Sequence, residues 1–374
     1  MTTKVLIVTN TEWYFLSHRV PLARALRDAG HQVVVVAESE RGAEAEIERL
    51  GFRFIRIPLD RRGSGLRSEL KTLRALRDVY RTERPWAVHH ITIKPVIYGS
   101  MIARLLRIPV IMNTIPGLGY MFTGTGFRGL VRRLVAFSMY RFALGGKSVR
   151  SIFQNPQDRA LFVQRRIVGR DNSSTVLGSG VDLVEFSPAR EASTTPVVVL
   201  PARLLWDKGV AELVEASKLL KIRGVDCRIA LVGSPDPQNP SSVPESTLRG
   251  WVRDGIVEWW GQRADMPAVL RDSHIVVLPS YREGVPKSLL EAAASARAIV
   301  ATDVPGCREV VDDGVTGILV PPRDAVALAD AIQRLVARPE LRRALGEAAR
   351  KKAVEKFSDK MIAAQTVAAY PTIA

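Results

Sequence analysis

The chain has 374 residues, 47% of them apolar, and a net charge of +16. This length suits two domains of ordinary size, and this apolar share argues against a disordered chain. Two widely spaced cysteines, Cys227 and Cys307, speak against a disulfide framework or a zinc site and suit a reducing cytosol.

KVLIVT (4–9) predicts a strand, HRVPLARALRDAG (18–30) a helix stopped by Gly30, and HQVVVVAE (31–38) a buried strand. Together they read as a βαβ unit. KVLIVTN is too short an apolar run for a signal peptide. Further strands are expected at FRFIRI, AVHHI, PVIMNT and SIFQN, with a helix at LKTLRALRDVYRTE. The most apolar region, 95–125, is interrupted by Arg104 and Arg107 and broken by Pro109 and Pro116, so it does not span a membrane. Near residue 196 the pattern restarts. Strands are expected at PVVVLPARL, CRIALVG, IVVLP, AIVAT and GILVPP, and helices at VAELVEASKLLKIRG, MPAVLRDS, SLLEAAASA and DAVALADAIQRLVA.

Apolar strands alternating with helices mean parallel sheets covered on both faces. The fold class is therefore α/β, with two Rossmann-like doubly wound domains facing across a cleft. GSGVDLVEFSPAREASTTP (178–196) lacks a period and is rich in turn formers, which marks a boundary. The expected division is 1–185, 186–355, and a C-terminal helix 356–374 returning to the first domain. Ligands of such sheets bind beyond the C-terminal ends of the strands.

Charge is uneven. Residues 1–190 hold 30 Lys/Arg against 15 Asp/Glu, and no acidic residue lies between Glu83 and Asp158. One half is expected to face something anionic. FRGLVRRLVAFSMYRFALGGKSVR (127–150) mixes apolar residues with arginine at helical spacing, so Arg128, Arg132, Arg133 and Arg141 are candidates to meet an anionic bilayer. A solvated face over an ordinary core helix remains open. No helix-turn-helix or RNA-binding motif supports nucleic acid as the partner.

EGVPKSLLE (283–291) sets two glutamates eight positions apart. Glu38 and Glu46, or Glu347 and Glu355, share that interval, so spacing alone says nothing. Placement says more. IVVLPS ends a strand and SLLEAAASA starts a helix, which puts Glu283 in the strand-end loop and Glu291 in the first helical turn. A helix N-terminus attracts phosphate. The amides of Lys287, Ser288 and Leu289 would meet phosphate oxygens, with the Lys287 charge beside them. Gly284 permits close approach, and the carboxylates accept from sugar hydroxyls. Alternatively, Ser288 and Glu291 form a capping box, and Glu283 is a solvated loop carboxylate. LPARLLWDKG puts Arg203 and Lys208 after another strand, where two cations are candidates to neutralise a leaving diphosphate; a pair of ordinary surface cations is the alternative. Gly233, in LVGSPD, is expected to pass close to a flat base. No Asp-x-Asp pair stands in a strand-end loop, so no metal and no cofactor is expected.

SGVDLVEFSP, PARLLWDKG, EGVPKSLLEAAA and GCREVVDDGVTGILVPPRD, in that order, resemble the family 4 retaining glycosyltransferases of GT-B architecture. The resemblance implies that Arg203 and Lys208 hold the donor diphosphate, Glu283 binds sugar hydroxyls near the reacting carbon, and Glu291 binds ribose. Backbone at 284–288, including Val285, would contact donor sugar and phosphates. EWYFLSHRVPLARAL, HHITIKPVIYGSMIARL, NTIPGLGYMF and FQNPQD resemble the bacterial subgroup that builds capsule, O-antigen (lipopolysaccharide) and N-glycan precursors. That implies transfer of an N-acetylhexosamine or related sugar from UDP to a sugar on undecaprenyl diphosphate, by a peripheral enzyme on the inner face of the cytoplasmic membrane. Where many members carry a histidine, this chain has Pro116 and Gly117. His18, His89, His90, Lys94, Asn113 and Gly117 are therefore candidates for donor-sugar or acceptor contacts. His89 and His90 equally suit a strand end, and His18 a helix start. A sugar-nucleotide epimerase and a phosphorylase are rival enzyme classes. A membrane-docked scaffold is the non-catalytic rival.

Overall fold

The computed structural model describes residues 3–59, 65–118, 126–146 and 148–371, with backbone alone at 126–129. The chain forms two compact units, residues 1–179 with 360–374, and residues 180–359. The first crossing lies at 179/180 rather than 185/186, and the second at 359/360 rather than 355/356. Backbone pairing accounts for both positions. Val181 N–H donates to the Phe357 carbonyl at 2.9 Å, and Asp359 N–H to the Val181 carbonyl at 3.1 Å.

In the first unit the chain runs through β1 (Lys4–Thr11), α1 (Glu12–His18), α2 (Val20–Asp28), β2 (Gln32–Glu38), α3 (Glu44–Arg49), β3 (Arg53–Arg56) and α4 (Gly65–Glu83). It continues through β4 (Ala87–Ile91), a π-helical turn (Pro95–Gly99), α5 (Ser100–Leu105), β5 (Val110–Ile115), α6 (Gly126–Leu144), β6 (Val149–Phe153), α7 (Pro156–Gln164) and β7 (Ser173–Thr175). Among the described residues the sheet has order β3-β2-β1-β4-β5-β6-β7, and the pairs are parallel. Alternate residues feed opposite layers. Leu6, Val8, Val34 and Val36 join the core beneath α4 and α6, whereas Val5, Ile7, Val33 and Val35 join the core beneath α2. Each fully buried aliphatic side chain contributes roughly 1.5–3 kcal/mol, which explains the unbroken apolar strands.

The second unit runs through β8 (Val197–Pro201), a 3-10 turn (Trp206–Lys208), α8 (Val210–Ile222), β9 (Arg228–Val232), α9 (Glu245–Arg253), β10 (Glu258–Gly261), α10 (Met266–Arg271), β11 (Ile275–Leu278), α11 (Lys287–Ala294), β12 (Ala298–Thr302), α12 (Pro305–Val310), β13 (Ile318–Val320), α13 (Ala325–Ala337) and α14 (Pro339–Lys356). Its sheet has order β10-β9-β8-β11-β12-β13, again parallel. The closing helix α15 (Asp359–Ala368) delivers Ile362 to the α2-side core of the first unit. Beyond it, Tyr370 lies against Trp86, with ring centroids 6.5 Å apart. No described helix is long and apolar enough to cross a membrane.

Candidate active site

The strand order of the second sheet reverses between β8 and β11, and ligands of open parallel sheets bind beyond the strand ends at such a reversal. The loops leaving these two strands carry Arg203, Lys208 and Glu283. Lys208 closes the 3-10 turn, and Gly209 follows with a φ of +74°. A Cβ at Gly209 would lie 2.1 Å from the Pro279 carbonyl oxygen, so only glycine lets the β8 loop touch the β11 loop. Tyr281 N–H donates to the Asp207 carbonyl at 3.0 Å and tightens the same junction. Lys208 and Glu283 are thereby brought together, and Lys208 Nζ donates to Glu283 Oε1.

Arg203 Nη1 donates to Asp236 Oδ2 at 2.9 Å. Asp236 lies in the loop after β9 and is itself held. Its N–H donates to Ser242 Oγ at 3.0 Å, and its Oδ1 accepts from Gln238 N–H at 3.2 Å. Ser241 Oγ donates to Asp207 Oδ1 at 2.7 Å. The loops after β8 and β9 are thus cross-linked around the two cations.

Gly233 is occupied by protein backbone. Its N–H donates to the Gly261 carbonyl at 2.7 Å, and its carbonyl accepts from Trp259 Nε1 at 2.8 Å. A Cβ there would lie 1.9 Å from the Ala202 carbonyl oxygen. Packing of the loops after β8 and β9 already requires this glycine, whatever else passes it.

Helix α11 departs from the capping-box expectation. It starts at Lys287, with Pro286 as N-cap and no side-chain cap. The Pro286 carbonyl takes the N–H groups of Leu289 (3.1 Å) and Leu290 (3.3 Å), so Ser288 lies inside the first turn. The Leu289 amide is therefore already engaged, while Ser288 N–H is among the first-turn donors that a helix leaves without an intrahelical acceptor. Leu289 is fully buried and Val285 nearly so; Gly284 is half-buried. Glu291 is 8% exposed and pairs with Lys287 at 3.4 Å. Burial pushes its carboxyl above the ordinary range, and Lys287 opposes that shift.

Two family models match the chain: "Glycosyl transferase 4-like" over residues 4–145 and "Glycosyl transferases group 1" over residues 195–338. The chain belongs to the family 4-like glycosyl transferases. The transferase is 28% identical over 381 residues to the N,N'-diacetylbacillosaminyl-diphospho-undecaprenol alpha-1,3-N-acetylgalactosaminyltransferase of Campylobacter jejuni, covering 96% of this chain and 98% of that one. It is 24% identical to the capsular polysaccharide biosynthesis glycosyltransferase CapM of Staphylococcus aureus, covering 96% and 95%. Among solved structures it resembles the Anabaena protein HepE in complex with UDP and glucose, with a TM-score of 0.78, 19% identity and 98% of each chain covered. It also resembles sucrose-phosphate synthase from Thermosynechococcus elongatus, with a TM-score of 0.79, 22% identity and 98% of each chain covered. Both structural likenesses concern the GT-B fold.

In its first unit the transferase places several candidate residues away from any surface. His89 and His90 are fully buried in β4. His89 Nδ1 lies 2.7 Å from the Tyr370 hydroxyl, and Nε2 lies 2.7 Å from Thr114 Oγ1. His90 pairs with the Tyr80 hydroxyl at 2.8 Å and with Asn113 Oδ1 at 3.1 Å; Asn113 is itself fully buried and also accepts from Ser100 Oγ at 2.8 Å. These three residues are corrected from substrate contacts to core polar groups, because both imidazoles use both ring nitrogens internally. Burial holds both imidazoles below their ordinary range, His90 at about 3. Lys94 Nζ pairs with Glu69 at 2.7 Å. His18 stacks on Tyr14 at 4.5 Å. Gly117 is half-buried just past β5.

The outward face of α6 also differs from the expected basic one. Leu130, Val131, Leu134, Val135 and Phe142 are exposed, at intervals that share one side of a helix. Arg132 and Arg133 are half-buried. Arg141 is exposed and donates to the carbonyls of Arg165 (3.4 Å) and Arg166 (3.2 Å). The Arg128 side chain lies outside the described residues.

Sequence reasoning missed Asp236 and Tyr281. The Tyr281 hydroxyl donates to Glu212 Oε1 at 2.6 Å, and its ring lies under the Arg323 guanidinium at 4.5 Å. Hydrogen bonding and burial push the phenol up to about 12, burial being the larger cause. No local pattern links Tyr281 to a partner 69 residues away.

Proposed function

We propose that the transferase moves an N-acetylhexosamine or related hexose from a UDP-sugar to a saccharide on undecaprenyl diphosphate. It works with retention, without metal, at the inner face of the bacterial cytoplasmic membrane. The observation that carries this reading is the meeting of Lys208 and Glu283 at the reversal of strand order, with Arg203 on the same β8 loop as Lys208 and α11 starting just after Glu283. Charge builds on the diphosphate as the anomeric bond breaks, and two fixed cations with a helix N-terminus stabilise it. That supply of positive charge supports a metal-free reaction. Glu283 accepts from hydroxyls of the donor sugar, and Glu291 from ribose. The departing phosphate takes the proton of the attacking acceptor hydroxyl on the same face, which retains the anomeric configuration. The names of the Campylobacter and Staphylococcus relatives support the acceptor class and a place in surface-glycan assembly.

The apolar ridge on α6 supports attachment to a membrane. Five exposed apolar side chains beside Arg141 suit an anionic bilayer, with the apolar groups entering the acyl boundary and the cation at headgroup level. Attachment therefore rests more on apolar insertion than on charge.

The test is UDP release from a panel of UDP-sugars, with N-acetylglucosaminyl- or N,N'-diacetylbacillosaminyl-diphospho-undecaprenol, with and without EDTA. Product anomers are read by NMR. Release that needs the lipid-linked sugar, ignores EDTA and gives α-linked product from an α-linked donor is expected. Release blocked by EDTA removes the metal-free mechanism, and inverted product removes retention. No release with any pair makes the chain a scaffold. On vesicles containing anionic lipid, Leu134→Asp with Val135→Asp is expected to abolish flotation; undiminished flotation removes the α6 attachment.

A further inference from the structure

Tyr281 holds the chain on both sides of Lys208. Its N–H donates to the carbonyl of Asp207, the residue before Lys208, at 3.0 Å. Its hydroxyl donates to Glu212 Oε1 at 2.6 Å, and Glu212 lies in the first turn of α8, which starts directly after the turn of Lys208 and Gly209. Tyr281 itself leaves β11 on the loop that carries Glu283. A single residue therefore grips the segments flanking Lys208 from just before the carboxylate that Lys208 bonds.

The ring of Tyr281 is fixed as well. The Arg323 guanidinium lies over it, 4.5 Å from the centroid, and comes from the loop after β13. Arg323 has a φ of +64°, in the left-handed region that residues with side chains seldom enter. Glu212 keeps its second oxygen, Oε2, buried with no hydrogen-bond partner among the described residues. That arrangement is costly, because one hydrogen bond only partly offsets the desolvation of a carboxylate. A first-turn acid suits the dipole of α8, which accounts for the charge of Glu212 but not for its bond across to the β11 loop. Strained backbone and under-bonded buried groups gather at functional sites, and here both attend one phenol.

We propose that Tyr281 is a positioning residue for the transfer step, setting the separation between Lys208 Nζ and the Glu283 carboxylate through Asp207 and Glu212. This rests on the transferase reading above. In that reading the ammonium serves the departing diphosphate and the carboxylate serves a hydroxyl of the same donor, so their separation has to match one molecule. Both side chains are flexible and stand on different loops. Fixing the loops to each other turns two loosely placed charges into a preorganised pair. Loss of the phenol hydroxyl leaves Glu212 with neither oxygen bonded among the described residues. The bare carboxylate is then expected to turn toward water and to carry the start of α8, and Lys208 with it, away from Glu283.

Tyr281→Phe keeps the ring under Arg323 and removes only the hydroxyl. With the donor and acceptor found active above, it is expected to lower kcat about tenfold, because a small misplacement of catalytic groups costs large factors in rate. Calorimetry is expected to give a Kd for UDP within about twofold of the wild type, since UDP lacks the sugar that Glu283 serves. The deciding measurement is a double-mutant cycle. In a Glu283→Gln background Tyr281→Phe is expected to change kcat less than about twofold, because a residue that acts through Glu283 has nothing left to position. No loss in Tyr281→Phe alone overturns the assignment. So does an equal loss in both backgrounds, which a merely structural role gives together with a lowered melting temperature. Where the wild-type chain transfers nothing, the transferase reading fails by itself, and carbon-13 NMR of the glutamate carboxyls decides the coupling. The Glu283 signal, assigned by its loss in Glu283→Gln, is expected to shift in Tyr281→Phe while that of Glu291 stays in place; an unmoved Glu283 signal overturns the coupling.

Discussion

Lys208 Nζ donates to Glu283 Oε1 across two loops that leave adjacent strands, and each side chain is at least four-fifths buried. Each is the other's counter-ion in the protein without substrate. Under the proposed function, a donor diphosphate arriving at Lys208 would compete with Glu283 for that ammonium and leave the carboxylate able to turn to a sugar hydroxyl.

Glu283→Gln keeps the shape of the loop and removes the charge. It is expected to lower kcat/KM at least about 100-fold, near 3 kcal/mol of transition-state stabilisation. Its melting temperature should fall by only a few degrees. Lys208→Met is expected to raise the Kd for UDP about tenfold or more. Titration calorimetry checks this, and unchanged UDP affinity would remove Lys208 from the diphosphate.

Asp236→Ala releases Arg203 from its fixed orientation. Arg203 is nearly half exposed, at 46%, so the pair adds little to stability, under about 1 kcal/mol. The expected effect is a rise of about fivefold in the KM for the UDP-sugar, because an unanchored guanidinium loses order on binding. An unchanged KM with a lowered melting temperature would make the pair purely structural.

Gly306 opens α12 with no room for a side chain. A Cβ there would lie 1.2 Å from the Gly284 carbonyl oxygen and 2.8 Å from the Glu283 carbonyl carbon. Gly306→Ala must displace the loop that carries Glu283. A stability loss of about 2–4 kcal/mol is expected, with kcat falling further than a remote mutation of equal cost. Thermal melts beside turnover measurements separate the two effects.

His89 and His90 make the first unit sensitive to acid. Burial lowers both, His90 to about 3, whereas each titrates near about 6.5 in an unfolded chain. The folded rings stay neutral while the unfolded ones take up protons. Stability is therefore complete above about pH 6.5 and falls below it by up to about 1.4 kcal/mol per pH unit for each histidine. Chemical denaturation at pH 7.5 and 5.5 should differ by roughly 3 kcal/mol for the pair. His90→Asn is expected to remove about half of that slope, and an identical slope would locate the acid sensitivity elsewhere.

Much of the architecture was readable in the linear chain. VVVV and IVVL can be stable only as strands covered on both faces, and a strand followed by a loop and a helix places Arg203, Lys208 and Glu283 at a sheet's C-terminal edge. Short segments escaped: α7, α9, β7, β10 and α12 are too brief for periodicity to stand out. The expected Ser288 cap failed because Pro286, with its fixed φ and free carbonyl, is a sufficient helix start.

Sequence alone determined that the chain makes two parallel-sheet units and which strand-end loops carry charge, because hydrophobic periodicity and turn chemistry are local. Only the tertiary structure decided that Asp236 holds Arg203, that Tyr281 braces the Glu283 loop, and that His89 and His90 face inward. Those relationships depend on which strands become neighbours and in what register, and on contacts between residues 10 to 281 positions apart. No local propensity encodes such pairings, since they arise only when the whole sheet closes its core.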